Sequence, residues 1–202
     1  MTTTILKLDS SIYGQGGQSA QLASQFVTAL RERQPGTRVI ERDVATEPLP
    51  HLDAARFQAF LTKPEERSAE QAAVAAVSDE LIGELRAADV VVLGLPMYNF
   101  GIPSQLKAYF DHVARAGVTF KYTDKGPVGL LTGKKAYVFA TRGGAYAGTP
   151  KDTQTAYVRD FLAFLGIAEV EFVYAEGLAM GSDAEEQALA SARVQIEELL
   201  AA

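Results

Sequence analysis

Five short runs of apolar and β-branched residues punctuate the chain, at 4–8, 38–42, 90–94, 135–140 and 170–174. The segments between them repeat their apolar residues at helical spacing. Leu22, Ala23, Phe26, Val27 and Leu30 follow the first run, and Val74, Val77, Leu81, Ile82 and Leu85 precede the third. Leu106, Phe110 and Val113 follow the third run, Val158, Phe161, Leu162 and Leu165 the fourth, and Leu189, Ile196 and Leu199 the fifth. Parallel strands need a crossover of a dozen residues or more, and a helix supplies one. The alternation therefore predicts a parallel sheet with helices on both faces and right-handed crossovers. With no linker, repeat or low-complexity stretch, residues 1–202 read as a single α/β domain. The strand order 2-1-3-4-5 suits five strands and sets a switch point between the first and third, where such sheets bind ligands.

Local signals fill in the connections. Ser68 with Gln71, and Ser182 with Glu185, have capping-box spacing. The run 38–42 alternates polar and apolar residues, as an edge strand does, whereas 90–94 is apolar throughout, as a strand buried on both faces is. Between 43 and 67, Pro48, Pro50 and Pro64 mark irregular chain, with a short helix expected over 53–61. From 116 to 134 no periodicity appears and Asp124-Lys125-Gly126-Pro127 marks a turn, so a long functional or mobile loop is expected.

Three loops at strand carboxyl ends carry the candidate chemistry. The 9–19 loop holds Ser10, Ser11, Gly14, Gly16, Gly17, Gln18 and Ser19 before a helix. Hydroxyls and free backbone N–H groups at a helix N-terminus favour an anion, phosphate above all. The loop lacks the Gly-Lys-Ser/Thr ending of a P-loop and the third glycine of Gly-x-Gly-x-x-Gly. With no lysine nearby in the loop, a phosphate monoester fits better than a triphosphate. The bland alternative is a flexible loop with a Ser N-cap. The second loop, Pro96-Met97-Tyr98-Asn99-Phe100, offers two rings, one amide and backbone groups, but no carboxylate, Cys or His. That suits holding a flat, polar-edged ring. Asn99 either contacts such a ring or folds its amide onto the loop backbone as an Asx-turn. The third loop is Thr141-Arg142-Gly143-Gly144, followed by Tyr146. Its arginine reads as a ligand partner or as a surface ion pair of little weight.

Composition removes other chemistries. There is no cysteine, which excludes disulfides, thiolate nucleophiles and thiolate-bound clusters. His51 and His112 are too few for a typical zinc site and read as structural. A net charge of −6 argues against nucleic acid. No apolar run is long enough to cross a bilayer and no signal-peptide pattern opens the chain, so a cytoplasmic location is the default expectation.

Ser10-Ser11, Gly17-Gln18-Ser19, Pro96-Met97-Tyr98-Asn99-Phe100, Gln105-Leu106-Lys107, the 114–122 stretch Ala-Arg-Ala-Gly-Val-Thr-Phe-Lys-Tyr and Arg142-Gly143-Gly144 together resemble the FMN-dependent NADH azoreductases. These belong to a wider group of flavodoxin-like NAD(P)H:quinone oxidoreductases. The resemblance extends to Phe-Leu-x-Phe-Leu-Gly at 161–166 and Ala175-Glu176-Gly177. It implies a flavodoxin-like doubly wound five-stranded sheet, one FMN per subunit, and a homodimer with active sites at its interface. By position, Ser11 and Gly17, Gln18 and Ser19 are implied to hold the phosphate. Pro96, Met97, Tyr98, Asn99 and Phe100, with Thr141, Arg142, Gly143 and Gly144, are implied to hold the isoalloxazine. Phe100, Phe120, Tyr122 and Phe164 are implied to shape the substrate pocket. The implied reaction is ping-pong hydride transfer from NADH or NADPH, through the flavin, to a quinone or azo compound, with no obligatory catalytic side chain. A flavodoxin-like electron carrier with a protein redox partner is the alternative. Gly17 stands where the family often has Ser, Thr141 where Ser is common, and Gly101 and Pro103 where some relatives have bulkier or more polar residues. Tyr146-Ala147-Gly148 matches no family pattern.

Overall fold

The computed structural model describes residues 3–201. Strand β1 (Thr4–Asp9) leads through a loop into helix α1 (Gln18–Arg33), which returns to β2 (Arg38–Asp43). Helices α2 (Ala54–Leu61) and α3 (Ala69–Ala87) precede β3 (Val90–Pro96), and α4 (Ser104–Val113) follows it. A hairpin, β4 (Phe120–Thr123) and β5 (Gly126–Gly129), comes before β6 (Lys135–Thr141), α5 (Thr155–Leu165), β7 (Glu169–Ala175) and α6 (Ser182–Ala201). The main sheet runs β2-β1-β3-β6-β7, all parallel. Counting only its own strands, this is the expected order 2-1-3-4-5.

Alternate residues of each strand face opposite layers. Leu6 and Leu8 of β1, Val91, Leu93 and Leu95 of β3, and Val138 of β6 pack beneath α3, α4 and α5. Ile5, Val92, Phe139 and Val173 point the other way, against Leu22, Phe26 and Val27 of α1 and Ile196 of α6. With both faces covered, the central strands carry unbroken apolar runs. No residue of the β2 edge strand is buried: Arg38 and Glu41 are exposed and the other four partly so. No helix among the described residues is long and apolar enough to cross a membrane.

Two expectations are corrected. The 116–134 segment is not a plain loop: it holds the β4–β5 hairpin, turned at Asp124 and Lys125. Its strands are too short, and its partner too local, to leave a periodic signature. Gly129 lies so close to Gly166 at the end of α5 that a Cβ on Gly129 would stand 2.1 Å from the Gly166 nitrogen. That contact seats the hairpin on α5. The second correction concerns the last helix. Ser68 and Gln71 close a true capping box on α3. Ser182 lies inside the first turn of α6, and the Glu185 N–H bonds the Gly181 carbonyl, so Gly181 takes the capping position. Spacing alone does not distinguish a cap from the residue after it. Ser68→Ala should therefore lower stability by about 1 kcal/mol, about 2–4 °C in melting temperature for a domain of this size. Ser182→Ala should stay within about 0.5 kcal/mol in the same calorimetric comparison.

Candidate functional site

The carboxyl ends of β1 and β3 meet at the switch point, so the 9–19 and 96–103 loops lie side by side. Ser10 Oγ donates to the Gly94 carbonyl at 2.7 Å, and Tyr98 Oη reaches the Ile12 N–H at 3.2 Å and Ser11 Oγ at 3.4 Å. The chain makes a 3-10 turn over Gly14–Gly16, and Gly17 becomes the N-cap of α1. A serine cap is thus not what this loop holds. The Gln21 N–H bonds back to the Gly17 carbonyl. The first-turn N–H groups of Gln18, Ser19 and Ala20 have no intrahelical partner. Ser19 Oγ is buried and also unpartnered. A Cβ on Gly17 would stand 2.1 Å from Ser11 Oγ, so only glycine leaves the Ser11 hydroxyl in place. Bare N–H groups, an orphaned hydroxyl and the positive end of a 16-residue helix together fit a phosphate monoester.

A lysine does lie beneath this loop, contrary to the sequence reading. Lys7 of β1 is buried, ion-paired to Asp9, and its Nζ donates to Gln15 Oε1 at 3.2 Å. Gln15 Nε2 in turn donates to Asp9 Oδ2 at 2.9 Å. Asp9 balances the lysine charge, so the trio braces the 3-10 turn and adds no net charge to the anion site. The signal was the i, i+2 spacing of Lys7 and Asp9 on one face of a buried strand.

The second loop closes as a four-residue turn. The Tyr98 N–H bonds the Gly101 carbonyl at 3.1 Å and the Gly101 N–H bonds the Tyr98 carbonyl at 2.9 Å. Its central residues, Asn99 (φ 49°) and Phe100 (φ 63°), both lie in the left-handed region, as in a type I′ turn. For a residue such as phenylalanine this costs about 1–2 kcal/mol, so other contacts must hold the turn. Gln154 is one: its Nε2 donates to the Pro96 and Gly101 carbonyls, each at 3.0 Å. The Thr153 hydroxyl donates to the Phe100 carbonyl. The Asn99 amide makes no hydrogen bond among the described residues, so the Asx-turn alternative is not what holds this loop.

In the third loop, Arg142 is neither on the surface nor in the cleft. Its guanidinium is fully buried, paired with Asp152 at 2.8 Å and Glu176 at 3.1 Å, and lies over the Tyr174 ring. Glu176 Oε1 also accepts the Tyr146 and Ala147 N–H groups, at 2.8 and 2.9 Å. The Arg142, Gly143 and Gly144 carbonyls accept from Leu178, Ala179 and Gly177. What Gly143 and Gly144 leave over are their N–H groups, which, like those of Asn99 and Phe100, make no hydrogen bond among the described residues. Tyr146, for which the sequence offered no role, stands edge-on to Phe100 with ring centroids 5.6 Å apart.

A cleft of about 460 Å³ opens between these two loops, lined by Met97, Asn99, Phe100, Gly143, Gly144 and Tyr146, with Ala179. A second, of about 510 Å³, shares Met97 and Asn99 and runs past Tyr98 to Ile12. Phe120, Tyr122 and Phe164 do not line either cleft. They gather instead where the hairpin meets α5, with Phe120 4.2 Å from Phe164 and 5.4 Å from Tyr122 between ring centroids. Tyr122 is 74% exposed. No group of His, Cys, Asp or Glu among the described residues could hold a metal.

A doubly wound α/β protein with an anion nest and an N–H-lined cleft at its switch point can take a phosphate at one end and a planar, polar-edged ring at the other. Residues 3–200 match the family model described as flavodoxin-like fold, and the chain belongs to that family. It is 56% identical over 199 residues to an FMN-dependent NADH:quinone oxidoreductase of Cellvibrio japonicus, covering 98% of this chain and 99% of that protein. It is also 56% identical over 194 residues to a protein of that name from Burkholderia pseudomallei, covering 96% and 98%. Among solved structures, an azoreductase from Bacillus anthracis superimposes with a TM-score of 0.89 at 29% identity, over 98% of both chains. An FMN-dependent NADH-azoreductase from the same species, solved in complex with FMN, gives 0.84 at 25% identity, over 98% and 99%.

The ionic cluster behind the third loop makes a pH-dependent contribution. Burial works to raise the Asp152 carboxyl, but hydrogen bonds from Thr155 and Arg142 outweigh it and hold it below the usual carboxylate range. A depressed folded value means stability present above the unfolded value of about 3.9, and lost as pH falls through the folded one. Asp152→Asn, which leaves Arg142 with Glu176 as its one carboxylate partner, should cost about 1.5–3 kcal/mol at pH 7. The gap in melting temperature to the parent should be widest above the unfolded carboxylate value and should narrow as pH falls through the depressed folded one.

Proposed function

We propose that this protein is an FMN-dependent NADH oxidoreductase that reduces quinones by two electrons and cleaves aromatic azo compounds. One observation carries the reading. An unpartnered buried hydroxyl at a bare helix N-terminus adjoins a turn that directs free N–H groups and a free amide at one cleft. Ser11, Gly17, Gln18 and Ser19 would hold the FMN phosphate. Pro96, Met97, Tyr98, Asn99 and Phe100, with Thr141, Gly143 and Gly144, would hold its ring, and Arg142 serves through its main chain. One phosphate nest suits FMN better than FAD.

When bound, FMN would supply the two-electron hydride chemistry by which NADH, a proton and a quinone become NAD⁺ and a hydroquinone. Azo cleavage to two amines takes four electrons and therefore two such rounds. The protein's own contribution is orientation: the edge-on Phe100 and Tyr146 rings limit what enters the cleft to flat molecules. Ping-pong order would follow if hydride donor and acceptor use the same cleft in turn. An exposed Tyr122 beside Phe120 and Phe164, away from the cleft within one chain, suits a homodimer in which each hairpin reaches the partner's site.

The test uses the purified protein. Extraction should yield FMN and no FAD, light scattering should give twice the chain mass, and NADH oxidation with a small quinone should give parallel double-reciprocal lines. Failure to turn over NADH directly would favour the electron-carrier reading, and absence of flavin would refute both. Asn99→Ala should weaken FMN binding about tenfold or less, the equivalent of one hydrogen bond of about 0.5–1.5 kcal/mol. Apo-protein melting should fall by no more than about 2–4 °C, because the amide makes no hydrogen bond in the fold and only the tolerance of asparagine for left-handed backbone is lost.

A further inference from the structure

The turn that carries Asn99 and Phe100 is closed by its own two backbone hydrogen bonds and held in addition from outside. Both central residues take left-handed backbone without being glycine, and Phe100 is half exposed. Two consecutive residues at the far end of the 141–155 connection secure it. The Thr153 hydroxyl donates to the Phe100 carbonyl, and the Gln154 amide donates one N–H each to the Pro96 and Gly101 carbonyls. Those two carbonyls stand at the two ends of the loop, so one amide nitrogen spans its base.

The chemistry of Gln154 is specific to that task. The residue is fully buried, and its Oε1 is buried without a partner. An amide placed there for packing would leave neither group in that state. What it supplies there is two donors, and no other neutral side chain of that reach offers a fork of two N–H groups from one atom. A lysine or arginine would bring an unpaired charge into a dry site, and a carboxylate would face two carbonyls with no proton to share. The backbone places the amide. The Gln154 N–H donates to Asp152 Oδ1 at 3.3 Å, the same oxygen that accepts from Arg142 Nη2 at 2.8 Å. The buried ionic cluster thus fixes the start of α5, and Gln154 passes that position to the turn.

We propose that Gln154 is a positioning residue that sets the Asn99–Phe100 turn in its ligand-binding conformation before FMN arrives. This rests on the turn holding the flavin ring, as proposed above. Gln154→Leu keeps the bulk and removes both donors, and Gln154→Glu keeps the shape but exchanges donors for acceptors. FMN titration of folded apo-protein, the visible absorption spectrum of bound FMN and the pH dependence of affinity are the readouts. Gln154→Leu should raise the FMN dissociation constant at least tenfold and shift the long-wavelength flavin band. Gln154→Glu should do the same at pH 8 and recover toward the parent at pH 5.5, where the introduced carboxyl regains a proton and can donate to one carbonyl. That recovery, measured against the parent's own profile, also keeps the test decisive if the leucine variant fails to fold. Affinities within twofold of the parent and unchanged spectra in both variants would overturn the role. So would a loss of affinity that only tracks the unfolded fraction. A parent protein that binds no FMN would refute the flavin reading itself, and the role of Gln154 with it.

Discussion

Arg142 loses nearly all its contact with water at the carboxyl end of β6, and a guanidinium cannot shed its charge to make burial easier. Everything around it answers that constraint. Asp152 and Glu176 supply two carboxylates from opposite sides, Thr155 adds a hydroxyl, and the Tyr174 ring covers one face. Each partner then does a second job. Glu176 gathers the Tyr146 and Ala147 N–H groups, and Asp152 gathers the first N–H groups of α5. Through these bonds one buried cation positions β7, the start of α5 and the whole connection between β6 and α5. Removing a partner leaves a charge stranded in the interior, which is why such clusters tolerate little change.

The cleft lies at the edge of that cluster, not in it. Arg142 itself offers the cleft nothing from its side chain. Its main chain holds Gly143 and Gly144 against residues 177–179 so that their N–H groups stay free. The loop after β1 follows the same logic with a smaller set: Lys7, Asp9 and Gln15 neutralise one another and brace the 3-10 turn. In both places charge is spent on shape, and the donors left free are neutral ones. A neutral, rigid set of N–H groups suits a cofactor that must stay bound while its own charge changes.

The aromatic residues divide into two groups that one chain does not unite. Phe100 and Tyr146 stand at the cleft, while Phe120, Tyr122 and Phe164 stand where the hairpin rests on α5. The Gly129–Gly166 approach seats the hairpin that carries Phe120 and Tyr122 against α5, backbone on backbone.

Much of the architecture was legible in the residues themselves. Strand runs such as 90–94, the helical spacing of Leu22, Phe26 and Leu30, and the Ser68–Gln71 cap encode local preferences and burial, which act over a few residues and leave a periodic trace. Those periods dictated a parallel sheet, and the sheet dictated that the loops after β1 and β3 would meet. Tertiary structure alone decided what those loops do with their side chains. That Arg142 turns inward to Glu176 and that Gln154 crosses to Pro96 and Gly101 are matters of contact between residues far apart in sequence. Their hydrogen bonds and charge compensation depend on where a second segment lies, and no spacing within either segment records it. The 120–129 hairpin was hidden for the same reason: its order comes from the α5 surface beneath it, and its own short strands carry no repeat long enough to show.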